Sequence, residues 1–126
     1  RSEPEFYVAA LKELMADNKA SVSKRSIAAI KLTWIDRIEK PVEVSRLRLG
    51  EVQVVHLPGE PFVHYQLFDQ QQRPDNFVCV AGYGDGGMGY IPMKNDFEAG
   101  GYEPTMCFIS PDCEEQLSTA IKQLLR

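Results

Sequence analysis

The fold of this chain is decided by the segment Val52-Gln53-Val54-Val55-His56-Leu57-Pro58-Gly59-Glu60-Pro61. Four of its first six residues are apolar, which predicts a central β-strand buried on both faces. Pro58 and Gly59 end that strand abruptly. Because Pro61 suits the first turn of a helix, residues 62–71 are predicted to be helical. A buried strand that leads into a helix indicates an α/β layer architecture.

Elements on either side extend the same pattern. Helices are predicted from Ser2–Glu5 to near Asp17 and from Ser110 to the last residues, since both begin with a capping residue and a proline and continue with apolar residues at helical spacing. The apolar stripe of the last helix consists of Leu117, Ile121, Leu124 and Leu125. Further strands are predicted over 26–39, 42–49 and 77–81, with a turn at Gly50. The order of elements predicts a single α/β domain over 1–126, with a mixed β-sheet flanked by helices.

Composition and charge argue against a nucleic-acid-binding protein and against a membrane-spanning one. Of the 126 residues, 44% are hydrophobic and 25% are charged, as in ordinary soluble globular proteins. A net charge of −4 and dispersed Lys and Arg residues argue against a nucleic-acid partner. No apolar run approaches the ~20 residues that a membrane-spanning helix needs, so no transmembrane segment is expected.

The three cysteines form no C-x-x-C pair. Cys79 lies in an apolar run and is interpreted as a buried small hydrophobic residue. Cys107 and Cys113 could pair in an oxidising compartment, but the odd number of cysteines leaves that question open.

Two segments carry residues that favour a functional site. Glu60 follows one buried strand, and the glycine-rich loop Gly82–Tyr90 follows another. Ligand sites in α/β proteins gather at the carboxyl ends of strands, so Glu60 and this loop are expected at one edge of the sheet, where they could face each other. The competing interpretation is that both are ordinary tight connections.

Nucleotide binding is the first specific hypothesis, and the sequence argues against it. Gly82-x-Gly84-x-x-Gly87 matches the dinucleotide fingerprint in its letters. That motif must open a helix, however, and Gly89 and Pro92 are unfavourable in one. A phosphate-binding P-loop is excluded because no Lys-Ser or Lys-Thr pair follows the glycines.

Metal binding is the second hypothesis, in two forms. His56, Glu60 and His64 are spaced by four residues, but Pro58 and Gly59 prevent one helix from carrying all three, so each histidine is interpreted as a structural residue. Alternatively, Glu60 and a phenol, from Tyr90 or Tyr102, could complete a zinc site whose histidines come from elsewhere. Spacing alone does not decide between these forms.

Three short motifs together resemble the late catalytic-domain segment of the neutral/alkaline (non-lysosomal) ceramidase family. They are Val54–Phe62 with its Pro-Gly-Glu corner, Gly89-Tyr90-Ile91-Pro92, and Phe97–Glu103 with its Tyr-Glu pair. Their order and spacing agree with that family, and the resemblance covers residues 50–125.

The resemblance implies specific roles. Glu60 and Tyr90 would be two ligands of a zinc ion, and Tyr102 would contact the substrate amide. The family's two histidine ligands, its general base and its substrate-binding arginine come from upstream of anything in this chain. The chain would therefore be the C-terminal part of a larger catalytic domain, with the N-terminal half of that domain as its partner and a lipid amide, such as an N-acyl-sphingosine, as its substrate.

Further expectations follow from the missing upstream residues. Alone, the chain is expected to bind zinc weakly or not at all and to have no amidase activity. Exposed strand edges favour pairing with another copy, so a homo-oligomer is expected. The resemblance also implies an extracytoplasmic or secreted location. The alternative function is a non-catalytic structural or binding module of a ceramidase-like protein.

Overall fold

The structure, a computed structural model, describes residues 5–84 and 89–126. The chain divides into two units, Arg1–Pro41 and Val42–Arg126. In the first unit, helices α1 (Glu5–Ala16) and α2 (Val22–Ile35) pack against each other. Helix α1 confirms the first predicted helix, although Ser2 and Pro4, the residues predicted to start it, lie outside the described residues.

Helix α2 replaces the strand predicted over 26–39, so that prediction is wrong. The Ser21 side chain caps the helix by accepting a hydrogen bond from the backbone N–H of Lys24. The β-branched residues that favoured a strand cost a helix less than about 0.7 kcal/mol each. This cost is offset by the cap and by packing on α1, where Ala28 is fully buried and Lys31 Nζ donates to the Tyr7 hydroxyl at 3.2 Å.

The second unit contains the α/β layers. In chain order its elements are β1 (Ser45–Leu49), β2 (Val52–Pro58), β3 (Glu60–Pro61), α3 (Val63–Gln72), β4 (Phe77–Gly84), β5 (Tyr90–Ile91), α4 (Lys94–Ala99), α5 (Tyr102–Thr105) and α6 (Cys113–Leu124). The main sheet has the order β1-β2-β4, with β1 antiparallel and β4 parallel to β2. A second, two-stranded sheet pairs β3 with β5 in parallel. The predicted mixed sheet flanked by helices is confirmed.

Strand β2 is central, but it is not buried on both faces as predicted. Gln53, Val55 and Leu57 are buried, whereas the alternate residues, such as Val54, are half-buried. One face therefore points into the core, and the opposite face is partly exposed. The predicted turn before β2 lies at Gly50, whose φ of 61° is favourable only for glycine.

The core lies between the main sheet and helices α3 and α6. Its buried members are Val55, Leu57, Tyr65, Val78, Ile91, Leu117, Ile121 and Leu125. Helices α3 and α6 lie where the sequence predicts helices, and three of the four residues predicted for the α6 stripe are buried. None of the described helices is both long and apolar enough to cross a bilayer.

Candidate functional site

Glu60 and Tyr90 lie opposite each other in the two-stranded sheet. In the parallel register of β3 and β5, Glu60 pairs with Tyr90 and Pro61 pairs with Ile91. The backbone N–H of Glu60 donates to the Gly89 carbonyl at 2.9 Å. Because directly opposed residues in a sheet project to the same face, the carboxylate and the phenol lie on one side. The structure thus brings together the two predicted metal ligands.

The backbone before each of these residues needs a conformation that favours glycine. Gly59 has a φ of 62° and Gly89 has a φ of 68°. The Gly59 N–H donates to the Gly84 carbonyl at 3.3 Å, which holds the corner before Glu60 against the end of β4. A Cβ atom on Gly89 would lie 2.8 Å from the Met106 carbonyl oxygen, closer than real contacts allow. These two glycines allow the short strands to pair.

Tyr102, the predicted substrate-contacting residue, lies beside Tyr90. Its ring centroid is 6.0 Å from that of Tyr90, and the rings meet edge to face at 73°. This geometry is favourable for two aromatic rings. Tyr102 is the first residue of α5 and is 62% exposed, so its ring combines contact with Tyr90 and access to solvent. All three predicted site residues therefore form one cluster.

The electrostatic surroundings of Tyr90 are acidic. The Glu60 carboxylate is the main cause that raises the pKa of the Tyr90 phenol above its ordinary value, with further contributions from burial, Tyr102, Glu103 and Tyr83. An anion disfavours a neighbouring phenolate, whereas a divalent cation favours it. Two oxygen donors on one face, one of them anionic, have the chemistry to bind a cation.

His56 lies on β2 and His64 on α3, so no single helix carries them together with Glu60. Nδ1 of His56 is 3.4 Å from the Ser45 hydroxyl on the neighbouring strand, and His64 is exposed on α3. Within residues 5–84 and 89–126, no group of three or more His, Cys, Asp or Glu residues could hold a metal ion. Glu60 and Tyr90 therefore fit only part of a zinc coordination sphere.

The glycine-rich segment does not begin a helix in its described part. Gly82 and Gly84 belong to β4, and Gly89 directly precedes β5. Gly87, the third glycine of the fingerprint, lies outside the described residues. The described part of the segment, up to Gly84 and from Gly89, therefore shows no strand-to-helix turn of the kind that binds a pyrophosphate.

Several other residues of the second unit had no distinguishing signal in the sequence. Tyr83 is 81% exposed and has a φ of 62°, a conformation that is uncommon for a residue other than glycine. Gln53 and Asp69 are buried, and their side-chain polar atoms have no hydrogen-bond partner among the residues that the structure describes. Burial raises the pKa of Asp69 to about 7. Whether a polar residue of a strand or helix is buried can be known only once the position of that element in the fold is known.

The cysteines are free thiols in the described structure. The Cys107 thiol contacts the Pro104 carbonyl oxygen at 3.1 Å. Burial, and secondarily Cys107, raises the pKa of Cys113. A raised pKa lowers the thiolate fraction, so Cys113 is a poor nucleophile.

Comparison of the chain with protein-family models, with curated proteins and with solved structures gives no match. The ceramidase resemblance consequently rests on the motif residues themselves and on the roles that their chemistry permits.

Proposed function

We propose that this chain is the C-terminal portion of a zinc-dependent amide hydrolase of the ceramidase type. Glu60 and Tyr90 donate two oxygen ligands, and Tyr102 contacts the substrate amide. The single observation that carries this proposal is the register pairing of Glu60 with Tyr90, which sets both side chains on one face of the β3–β5 sheet.

The chemistry of the donors supports the assignment. Carboxylate oxygen is a common zinc ligand, and a phenol becomes one when the metal lowers its pKa. A bound zinc ion supplies Lewis acidity and lowers the pKa of a water molecule. The Glu60 carboxylate contributes the negative charge that attracts the cation. The fixed backbone of the paired strands holds the two donors together before any metal binds.

The position of Tyr102 supports a role toward the substrate. Its exposed ring packs edge to face on Tyr90, so Tyr102 lies beside the proposed metal ligand and remains accessible to a substrate. A phenol there can donate a hydrogen bond to the amide oxygen as negative charge develops on it. Its orientation is maintained by the Tyr90 ring and by the first turn of α5.

Zinc content tests the ligand assignment in the full-length protein. Glu60→Gln and Tyr90→Phe should each reduce bound zinc several-fold, because each removes one of four ligands. Glu98→Gln is the matched control, since Glu98 is an exposed carboxylate on α4 in the same unit. Zinc content equal to that of the control in both ligand variants would refute the assignment.

A non-catalytic binding module is the second candidate function. The observation that favours it is the number of donors, because the described residues supply two ligands and no cluster able to hold a metal. In that case the full-length protein would contain no zinc and would hydrolyse no N-acyl-sphingosine. Zinc at one ion per chain, together with hydrolysis that Glu60→Gln abolishes, would exclude this candidate.

The isolated 126-residue chain should have no amidase activity under either proposal. Two ligands do not hold a zinc ion tightly, and the general base is expected from the upstream half of the domain. Measurable hydrolysis of an N-acyl-sphingosine by the purified chain would contradict this expectation.

A further inference from the structure

A cavity of about 320 Å³ lies where helices α3 and α6 end. Its lining residues are Gln72, Arg73, Lys122, Leu125 and Arg126. Glu60 and Tyr90 lie at the other end of α3, because β3 directly precedes the start of that helix of 10 residues. A helix of this length spans roughly 15 Å, so the cavity is separate from the candidate metal site.

The lining of the cavity is positively charged. Of the described residues that line it, three are cations and none is acidic. The two helix ends account for part of this charge, since cations stabilise the last turn of a helix. Each helix end carries only about −0.5 of an elementary charge, so the lining keeps a charge of about +2. This excess stands out in a chain whose net charge is −4.

Arg73 is held in place by neutral groups. Its Nε donates to Asn76 Oδ1 at 3.1 Å, and its Nη1 donates to the Arg126 carbonyl oxygen at 3.4 Å. Asn76 is oriented in turn by Glu51, whose carboxylate accepts from Asn76 Nδ2 at 2.9 Å and does not line the cavity. A guanidinium has five N–H donors, so three of them have no partner among the described residues.

Lys122 adds a second cation beside an apolar wall. Its Nζ lies 5.4 Å from the centroid of the Phe68 ring and forms no ion pair within residues 5–84 and 89–126. Leu125 is 2% exposed and belongs to the core, so part of the wall is apolar and well packed. Small-molecule sites have volumes of roughly 300–1,000 Å³, and this cavity lies at the lower end of that range.

We propose that this cavity binds a small molecule that bears a phosphate group, with Arg73 as the bidentate partner of that group. The guanidinium fork suits two phosphate oxygens, and Lys122 acts as a point charge. A phosphate monoester carries about −1.5 to −2 at pH 7, which matches the lining, whereas a carboxylate carries only about −1. The proposal does not depend on zinc, so it stands or fails separately from the proposed function.

Isothermal titration calorimetry at low salt tests the ligand class, with phenyl phosphate as the probe and benzoate as the matched carboxylate. The chain should bind phenyl phosphate several-fold more tightly than benzoate, because the phosphate carries more negative charge. Equal affinities for the two compounds, or no detectable binding of phenyl phosphate at millimolar concentration, would overturn the proposal.

Lys122→Gln and Lys94→Gln locate the site, because each removes one positive charge from an exposed lysine. Lys94 lies at the opposite end of α6 from the cavity, where its backbone N–H donates to the Glu114 carboxylate. Lys122→Gln should weaken the binding of phenyl phosphate on the order of tenfold, whereas Lys94→Gln should leave it nearly unchanged. Equal affinity of the two variants would also overturn the proposal.

Arg73→Lys tests the bidentate contact, because it keeps the positive charge and removes the guanidinium fork. The folded variant, checked by far-UV circular dichroism, should bind phenyl phosphate several-fold more weakly than the unaltered chain in the same titration. An unchanged affinity would overturn the role assigned to Arg73.

Discussion

Alanine at Gly89 should disrupt the pairing of β3 with β5, and the structure allows the size of this effect to be worked out. The backbone φ of Gly89 is 68°, and an added Cβ would lie 2.8 Å from the Met106 carbonyl oxygen and 3.3 Å from two ring carbons of Phe108. Gly89 also accepts the hydrogen bond from the Glu60 N–H. The substitution thus affects the backbone that fixes Glu60 beside Tyr90.

Two contributions add to the loss of stability. A residue with a Cβ in the left-handed region costs ~1–2 kcal/mol. Forcing a methyl group into a packed contact costs a further ~1–3 kcal/mol. Gly50→Ala is the matched control, because Gly50 has nearly the same φ, 61°, but no atom within 4 Å of the added Cβ. Both substitutions restrict the unfolded chain equally, so the difference between them isolates the steric contribution.

Urea denaturation followed by far-UV circular dichroism measures this difference. Fluorescence of Trp34 is unsuitable, because that residue belongs to the first unit. Gly89→Ala should be less stable than Gly50→Ala by roughly 1–3 kcal/mol, and hydrogen exchange of the Glu60 amide should accelerate only in Gly89→Ala. Equal stability of the two variants, with unchanged exchange at Glu60, would contradict the steric clash described for a side chain at Gly89.

Three further predictions follow from other parts of the second unit. Asp69 is protonated in the fold below about pH 7 but in the unfolded chain only below its ordinary pKa of 3.8, so its contribution to stability is lost as the pH rises from about 4 to 7. Asp69→Asn should therefore remove roughly 2–3 kcal/mol of pH dependence between about pH 5 and pH 8 in urea denaturation, and an unaltered pH profile would contradict its burial. Tyr102→Phe should slow amide hydrolysis by the full-length protein while leaving its zinc content unchanged. Tyr83→Phe should alter neither the rate of hydrolysis nor the zinc content. Loss of zinc in Tyr102→Phe would contradict the proposed role of Tyr102. Ile121→Ala should destabilise the unit by about 2–5 kcal/mol in the same denaturation assay, because Ile121 is fully buried, whereas the exposed Thr119→Ala should have little effect, and similar losses in both would count against the described core.

The second unit was largely predictable because its sequence signals agree with one another. Apolar runs correctly predicted β2 and β4, and Pro61 predicted the start of α3 to within two residues. In each of these segments, the composition, the spacing of apolar residues and the flanking prolines and glycines all indicated the same type of secondary structure. The short helices α4 and α5 were missed, because four to six residues carry too few positions to show a period.

The first unit shows where local signals fail. The β-branched residues of α2 favour a strand when each position is considered alone, and the prediction followed them. The helix forms because Ser21 caps it and α1 packs on it, and packing between elements is not visible in a local window.

The adjacency of Glu60 and Tyr90 was predictable in outline, because both follow strand signals at the sheet edge. Their exact register was not, since it depends on the turn at Gly59 and on the close approach of Gly89 to Met106. The chemical roles of the pair came only from the family resemblance and remain predictions.

Binding of one zinc ion by both Glu60 and Tyr90 is the central proposal. Ultraviolet difference spectroscopy of the metal-depleted full-length protein tests it directly, because a phenol that binds zinc loses its proton and gains tyrosinate absorbance. Added zinc should produce this absorbance in the unaltered protein, should produce none in Tyr90→Phe, and should require a much higher zinc concentration in Glu60→Gln. A full tyrosinate signal in Tyr90→Phe, or zinc bound tightly with no tyrosinate signal in the unaltered protein, would contradict the claim.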